Sequence, residues 1–244
     1  MYALLMIVVI SLLARGGLLL FKKRNLLDKP GNDLKNTRKP VPTLQGVFVY
    51  LITFVVLAMF YPDFFSSSLI QGFLAGGSLI VVVELFAELE YMGKLQRKIP
   101  PRLRFVVHMG AARLALRMSG ISDYEFILFE QVFILPNRLL YVAFSFRAVF
   151  VINAVNWIDG IYSQGNGILT IGFFTIFALI QWVVLRHYTE FTNLETLLLV
   201  KQLALMLAAI SLVYTVIEYK PLGLIRDVGT MFLAFGLAYL SVVG

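Results

Sequence analysis

Three polar side chains that could bind a ligand recur at every third position in one stretch of this sequence. Asn153, Asn156 and Asp159 lie between two long apolar runs. If a helix continues through this stretch, the spacing places all three side chains on one face near its end. Glycines follow that permit a turn and a close approach of the backbone to a ligand: Gly160, Gly165 and Gly167. Amides and a carboxylate beside such a turn suit a hydrated cation, a sugar or a phosphate ester, although a polar loop with an Asn-rich cap also explains them.

A second group of acids comprises Glu84, Glu88 and Glu90. Neighbouring carboxylates at a membrane surface can deprotonate a phosphate or organise Mg²⁺. The alternative is that Glu88 and Glu90 are solvated loop acids, balanced by Lys94 and Arg97.

Asp227 precedes Gly229 and Thr230 at the start of the last apolar run. An aspartate at this place can cap the last helix by accepting backbone N–H bonds.

The segment 22–43 contains seven lysines and arginines, among them Lys39. These cations could pair with the phosphates of a nucleotide sugar or with a lipid phosphate. The alternative is a basic loop beside the membrane that is attracted to anionic lipid in general.

The elements that position these residues are membrane helices. The 244 residues are 59% hydrophobic, with a mean hydropathy of +0.84, which is too apolar for an ordinary soluble domain. The absence of cysteine excludes disulfides and thiolate metal sites. A span needs about 20 apolar residues, and eight stretches approach that length: 2–21, 44–61, 67–86, 104–118, 138–153, 167–185, 194–217 and 229–244. We therefore predict an all-α polytopic membrane bundle of about eight transmembrane helices in one domain, 1–244.

The segment 123–136 is rich in strand formers and predicts a small β-hairpin outside the membrane.

The distribution of basic residues predicts the orientation. Lysines and arginines are concentrated in the loops 22–43, 87–104 and 218–228, which fall on the same side as the loop after Asn153. The positive-inside rule places this side in the cytoplasm and Met1 outside, as in a multi-pass protein of the cytoplasmic membrane. The net charge of +7 then indicates orientation and not nucleic-acid binding. Because the polar motifs gather on one side, transport through a site at the membrane midplane is disfavoured.

Several charged residues fall inside the expected spans. They are Arg15, Glu84, Arg113, Arg147 and Lys201, and we expect them to face the bundle interior or a wet cavity instead of lipid. His108 has no companions with metal-ligand spacing, so a packed and hydrogen-bonded role is expected for it.

Two of these motifs resemble those of the polyprenyl-phosphate N-acetylhexosamine-1-phosphate transferases. That family has a loop Asn-x-x-Asn-x-x-Asp-Gly-x-Asp-Gly with a further glycine four residues on, and the matching residues here are Asn153, Asn156, Asp159, Gly160 and Gly167. Tyr162 and Ser163 replace the family's second aspartate and its glycine. The family motif Gly-Asp-Ser/Thr-Gly-Ser is matched at Asp227, Gly229 and Thr230, whereas Arg226 replaces a glycine and Val228 a hydroxyl residue.

Two further segments are similar to the same family. Asp-Lys-Pro at 28–30, Arg-Lys at 38–39 and the following Pro-x-x-x-Gly resemble its first loop, with Gln45-Gly46 in place of Gly-Gly. Ala87 and Glu88 fall where the family has two adjacent aspartates, so one carboxylate is lost and the other is longer by a methylene.

The resemblance implies a phosphoglycosyltransferase. The enzyme would transfer a sugar 1-phosphate from a UDP-N-acetylhexosamine to a polyprenyl (undecaprenyl) phosphate and release UMP, in cell-wall or surface polysaccharide synthesis such as that of lipopolysaccharide. Mg²⁺ would be the cofactor, with Asp227 and Asp159 as its ligands and as catalytic residues together with Glu88. The resemblance also implies four residues that would bind substrate: Asn153, Asn156, Lys39 and Gly160. A homodimer is left open.

The departures at Ala87 and Tyr162 define the rival hypothesis. It is a catalytically impaired membrane homologue with a lipid-binding or structural role. The family also has a His-containing loop after a ninth span, so the resemblance implies that the family pattern continues past Gly244.

Overall fold

The computed structural model describes residues 2–28, 40–96, 98–121, 124–128, 131–159, 163–184 and 194–243. This part of the chain forms eight α-helices: α1 (Tyr2–Lys23), α2 (Gln45–Phe60), α3 (Ser68–Tyr91), α4 (Pro101–Met118), α5 (Asn137–Ile158), α6 (Gln164–Ala178), α7 (Leu194–Tyr219) and α8 (Arg226–Val243). A 3₁₀ turn, Pro62–Ser66, precedes α3, and a π-helical segment, Leu179–Val184, continues α6. The predicted all-α helix bundle is confirmed.

Six helices of the described chain are long and apolar enough to cross a membrane by length and composition: α1, α3, α5, α6, α7 and α8. The chain is therefore a multi-pass membrane protein. Helix α2 is apolar but has only 16 residues. Helix α4 has the length of a span but not its composition, because it contains four arginines and a histidine. These two helices account for the difference from the eight predicted spans.

Helices α3, α4 and α5 are among those that extend further than the apolar runs indicated. Helix α3 continues to Tyr91 where the apolar run ended at residue 86, α4 begins at Pro101 instead of residue 104, and α5 continues to Ile158 instead of residue 153. An apolar run marks only the uncharged part of a helix, whereas the helix itself continues into the polar residues that follow or precede the run. As a result, the polar motifs at the ends of α3 and α5 lie on helices.

Helix α8 lies at the centre of the bundle. It packs against α2, α3, α5 and α6, with smaller contacts to α4 and α7, and 78% of its apolar window is buried. A helix that is apolar on nearly all sides is stable only when neighbours surround it. Phe232, Phe235 and Tyr239 of α8 pack against Phe73 of α3, with ring centroids 5.5 to 6.1 Å apart. These contacts hold the middle of α8 against α3.

Two pairs of short antiparallel strands complete the fold. β1 (Leu27–Asp28) pairs with β2 (Val41–Pro42) beside the end of α1. β3 (Tyr124–Leu128) and β4 (Gln131–Leu135) form the hairpin between α4 and α5, with Tyr124 opposite Leu135. The hairpin predicted within 123–136 is confirmed.

The expectation for charged residues inside the helices holds only in part. Glu84 is fully buried, and the half-buried Lys201 donates a hydrogen bond to Gln181 Oε1 at 3.1 Å. In contrast, Arg15, Arg113 and Arg147 are exposed, so the expectation that they face the bundle interior is wrong. Arg147 still contacts α8, because a terminal nitrogen of its guanidinium donates to Ser241 Oγ at 2.9 Å.

Helices α2 and α8 approach each other through two glycines, Gly46 and Gly229. A Cβ added at Gly46 would clash with the backbone nitrogen of Gly229 and would lie 2.6 Å from the Ile225 carbonyl oxygen. These obstacles are backbone atoms and cannot rotate away. The close contact brings the segment before α2 next to the first turn of α8.

We expect Gly46→Ala to lower the free energy of unfolding by about 1–3 kcal/mol or more, because the methyl group forces α2 and α8 apart. Denaturation of the purified protein in mixed detergent micelles measures this change. The matched control is Gly110→Ala in α4, where an added Cβ meets nothing within 4 Å and helix propensity favours alanine by up to about 1 kcal/mol. Equal stability of the two variants would contradict the close contact.

Candidate functional site

The polar face of α5 is the first part of the candidate site. The helix ends at Ile158, and Asp159 is its C-terminal cap residue. Asn153, Asn156 and Asp159 therefore occupy one face over the last two turns, as their spacing predicted. Asn153 and Asn156 line a pocket of about 260 Å³ between α4, α5 and α8. The Nδ2 of Asn153 donates to the Val149 carbonyl at 2.7 Å, which leaves its Oδ1 for other partners.

A buried ion pair forms the opposite wall of this pocket. Arg104 of α4 donates to Glu84 of α3 with two nitrogens, Nε at 3.0 Å from Oε1 and a terminal nitrogen on Oε2. The His108 Nε2 lies 2.8 Å from the same Oε1. Glu84 is fully buried and His108 is 3% exposed. The expectation of a packed, hydrogen-bonded His108 is confirmed.

Arg104 also connects Glu84 to Asp227. The second contact of its terminal nitrogen is Asp227 Oδ2, at 2.9 Å. Helix α8 begins at Arg226, so Asp227 lies inside the first turn and is not the residue that caps it. The Asp227 side chain is 43% exposed and lines a second pocket of about 230 Å³. Arg104, which bridges the carboxylates of Glu84 and Asp227, thus lines both pockets.

Asp159 reaches the same end of α8. Its Oδ2 accepts a hydrogen bond from Thr230 Oγ1 at 2.9 Å. Thr230 is three residues after Asp227, which is slightly less than one helical turn. Asp159 is therefore tied to α8 through Thr230, one turn from the position of Asp227.

Glu88 contributes to the second pocket from the last turn of α3. It accepts a hydrogen bond from Thr43 Oγ1 at 3.0 Å, and Arg226 Nε lies 3.6 Å from the same oxygen. The Arg226 guanidinium also lies over the Tyr91 ring, 4.9 Å from its centroid. Glu88 is only 6% exposed. Its interpretation as a solvated loop acid is wrong, because α3 extends past it and the β2–α2 segment covers it.

Glu90 has a different environment from Glu88. Its Oε2 accepts the backbone N–H of Ile99 at 2.7 Å and so ties the end of α3 to the segment before α4. This contact assigns Glu90 a structural role, consistent with its position on another face of the helix.

One group at the site was missed by sequence reasoning. Glu218, at the end of α7, is 3% exposed and accepts hydrogen bonds from Asn166 Nδ2 at 2.8 Å and from the Ile225 backbone N–H at 3.0 Å. Ile225 directly precedes Arg226 and Asp227, so this carboxylate fixes the turn that leads into α8. The only available signal in the sequence was an acid at the end of an apolar run.

Two of the predicted substrate-binding residues, Lys39 and Gly160, lie outside the described residues, as does Tyr162. Ala87 lines the second pocket beside Glu88 and brings no charge to it.

The described carboxylates that could contribute to a metal site are Asp227 and Asp159. Within the described residues, no group of three or more His, Asp or Glu side chains could hold a metal ion by itself. Mg²⁺ usually binds one or two carboxylates and completes its octahedron with water and substrate phosphates. Asp227, partly open to the second pocket, and Asp159 at the same helix end fit that requirement.

The position of Asp159 depends on a glycine. A Cβ added at Gly165, in the first turn of α6, would lie 2.5 Å from Asp159 Oδ1 and 3.0 Å from its Cβ. The carboxylate would have to move, and its hydrogen bond with Thr230 would lengthen or break.

We expect Gly165→Ala to lower the free energy of unfolding by about 1–2 kcal/mol, the cost of disturbing a hydrogen bond to a charged group. Gly167→Ala is the matched control in the same turn, because nothing lies within 4 Å of a Cβ there; it should be neutral or slightly stabilising. Detergent denaturation of both variants measures the difference. If Gly165→Ala proved as stable as Gly167→Ala, the close packing of Asp159 on α6 would be refuted.

No protein-family model matches the chain, and no curated protein matches it.

Proposed function

We propose that the chain is a membrane phosphoglycosyltransferase. It would move a sugar 1-phosphate from a UDP-N-acetylhexosamine to a polyprenyl phosphate, giving a polyprenyl-diphosphate sugar and UMP. The observation that carries this proposal is the meeting of four polar segments, distant in the sequence, at the first turn of α8.

The convergence supports the proposal because the four segments are those that carry the resemblance. Thr43 follows the first loop, Glu88 ends α3, Asp159 ends α5 and Asp227 begins α8. Thr43 contacts Glu88, and Asp159 contacts Thr230 of α8. Alternation of the spans brings these segments to the same side of the bundle, and the direct side-chain contacts between them support a shared site.

Backbone conformation supplies a second, independent argument. Arg226 and Ser163 stand where the family pattern has glycine, and both have left-handed backbones, with φ of +56° and +62°. A non-glycine residue pays about 1–2 kcal/mol for this conformation, whereas glycine adopts it freely. The chain thus retains the turns that glycines would favour at these positions, although the side chains differ.

The two pockets suggest how the substrates would bind. The pocket lined by Asn153 and Asn156 offers amide donors and acceptors to a nucleotide, and Arg104 can neutralise its diphosphate. The adjoining pocket, with Glu88 and Arg226, would receive the phosphate of the lipid. Both pockets contain Arg104, so the two phosphate groups would meet near it.

The reaction requires one bond to form and one to break. An oxygen of the lipid phosphate attacks the phosphorus that bears the sugar, and the bond from this phosphorus to the UMP oxygen breaks. Glu88 is placed to accept a proton from the lipid phosphate, while Arg226 and Arg104 stabilise the charge that develops on the phosphoryl oxygens. Asp227 and Asp159 would hold Mg²⁺, which when bound neutralises the diphosphate and aids departure of UMP. Lys39 remains a predicted contact for phosphate.

The orientation completes the proposal. We place the α8 first turn and the basic loops on the cytoplasmic side, where nucleotide sugars are found, and Met1 outside. The support for this placement is the concentration of lysine and arginine in the loops at that end.

One observation favours the rival hypothesis of a catalytically impaired homologue. Arg104 already bonds Asp227 and Glu84, so a fixed guanidinium provides positive charge beside the proposed metal ligand. Together with Ala87 in place of a carboxylate, this arrangement could stabilise the fold without a metal. The same protein could then bind lipid phosphate without transferring sugar phosphate.

A transfer assay tests the proposal and separates the two hypotheses. The full chain is reconstituted in vesicles with polyprenyl phosphate, Mg²⁺ and UDP-N-acetylhexosamine labelled in the sugar. We expect UMP and labelled lipid to form in equal amounts, and only when polyprenyl phosphate is present. UMP formation no greater than in protein-free vesicles would overturn the enzyme proposal and favour the impaired homologue.

A further inference from the structure

A groove of about 830 Å³ lies on the side of the bundle formed by α1, α7 and the strand β2. Its walls are mostly apolar and include Leu18, Val41, Val213 and Ile217. The volume lies within the range of sites that bind small molecules, about 300–1,000 Å³. In a membrane protein, such a groove on the outer surface of the helices accommodates hydrocarbon chains.

Two cations line this apolar groove. Arg15 and Lys22 are both on α1 and both exposed. They are seven residues apart, which places them on the same helix face about 10 Å apart along the axis. Within the described part of the chain, neither is paired with a carboxylate.

An unpaired arginine is costly at this place. Arg15 is eight residues from the end of an otherwise apolar spanning helix, and a cation at such depth needs an anion or access to the interface. Long basic side chains extend toward the headgroup region, so Arg15 and Lys22 can both reach an anion located between them. The protein thus supplies two cations beside an apolar wall.

We infer that the groove binds one anionic phospholipid. Its phosphate would lie between Arg15 and Lys22, and an acyl chain would run along the wall formed by α1 and α7. The charge complementarity identifies the headgroup as anionic, and the apolar lining identifies a lipid instead of a soluble phosphate.

The location distinguishes this lipid from a substrate. The groove shares no lining residue with the two pockets at the candidate site. Neither Glu88 nor Asp227 lines the groove. The inference is independent of the proposed transferase reaction and is tested without any activity measurement.

Native mass spectrometry of the purified full chain tests the site. We compare phosphatidylglycerol with phosphatidylcholine of identical acyl chains, and inorganic phosphate serves as the soluble-anion arm. We expect selective retention of one phosphatidylglycerol. Arg15→Gln and Lys22→Gln should each weaken its binding about fivefold, and the double variant about 30-fold. The control, Arg113→Gln, removes an exposed arginine of α4 outside the groove and should leave the affinity unchanged.

Several outcomes would overturn the inference. Equal retention of the two phospholipids would show that the groove does not select an anion. Full retention of phosphatidylglycerol by the double variant would show that Arg15 and Lys22 do not bind the headgroup. An equal loss of binding in the Arg113 variant would show the same. If inorganic phosphate displaced phosphatidylglycerol at an equal concentration, the site would bind a soluble anion. If polyprenyl phosphate displaced phosphatidylglycerol at a concentration below that of phosphatidylglycerol, the site would bind polyprenyl phosphate. Circular dichroism of each variant confirms that it is folded.

Discussion

Asp227→Asn is expected to lower the rate of UMP formation about 100- to 1,000-fold, the range seen when a single electrostatic contact to the reacting group is removed. Asparagine has nearly the same shape as aspartate but no negative charge, so it cannot hold Mg²⁺ against a diphosphate with comparable strength. It also weakens the 2.9 Å contact with Arg104. The transfer assay in vesicles, at saturating UDP-sugar and several Mg²⁺ concentrations, measures the loss.

Asp63→Asn provides the matched control. Asp63 lies in the 3₁₀ turn Pro62–Ser66, between α2 and α3, and lines neither pocket at the candidate site. The same chemical change there should leave the rate within a factor of two. If Asp227→Asn retained the rate of the Asp63 variant, Asp227 would have no role in transfer and the proposed metal site would have to be abandoned.

The parts of the site that sequence predicted depend on local geometry. Asn153, Asn156 and Asp159 share a face because three-residue spacing on a helix requires it, and α5 does extend to Ile158. The hairpin at 124–135 likewise follows from local strand propensity. Lys39 and Gly160 remain predictions.

The partners of each side chain could not be predicted, because they depend on how the helices pack. Arg104 joins Glu84, 20 residues away, and Asp227, 123 residues away. No pattern in the sequence relates these three positions. The burial of Glu88 was missed for a similar reason, since Thr43, before α2, and Arg226, at the start of α8, both contact it.

The network around Glu84 also shows why the charge pattern was misleading. A glutamate inside an apolar run indicates a partner within the bundle, and Arg15, Arg113, Arg147 and Lys201 were candidates of that kind. The partner is instead Arg104, in the first turn of α4, which reaches Glu84 because α4 begins three residues earlier than the apolar run. The position of a helix start thus determines which ions meet.

Arg104→Ala is expected to lower the free energy of unfolding by about 3–5 kcal/mol, because it leaves the fully buried Glu84 carboxylate without its guanidinium. His108 alone, 2.8 Å from Oε1, cannot replace the two donors of Arg104. Denaturation in mixed detergent micelles measures the loss. Arg113→Ala on the same helix removes an exposed arginine and should change stability by less than about 0.5 kcal/mol.

The double variant Glu84→Gln/Arg104→Ala distinguishes a buried unpaired charge from simple loss of packing. If the uncompensated carboxylate is the cause, removing its charge restores part of the stability, and the double variant is more stable than Arg104→Ala alone. Additive losses would instead mean that Arg104 contributes through its hydrocarbon stem and that the pair is not coupled. The coupling matters for the proposed function, because Arg104, which neutralises Glu84, also bonds Asp227 and lines both pockets.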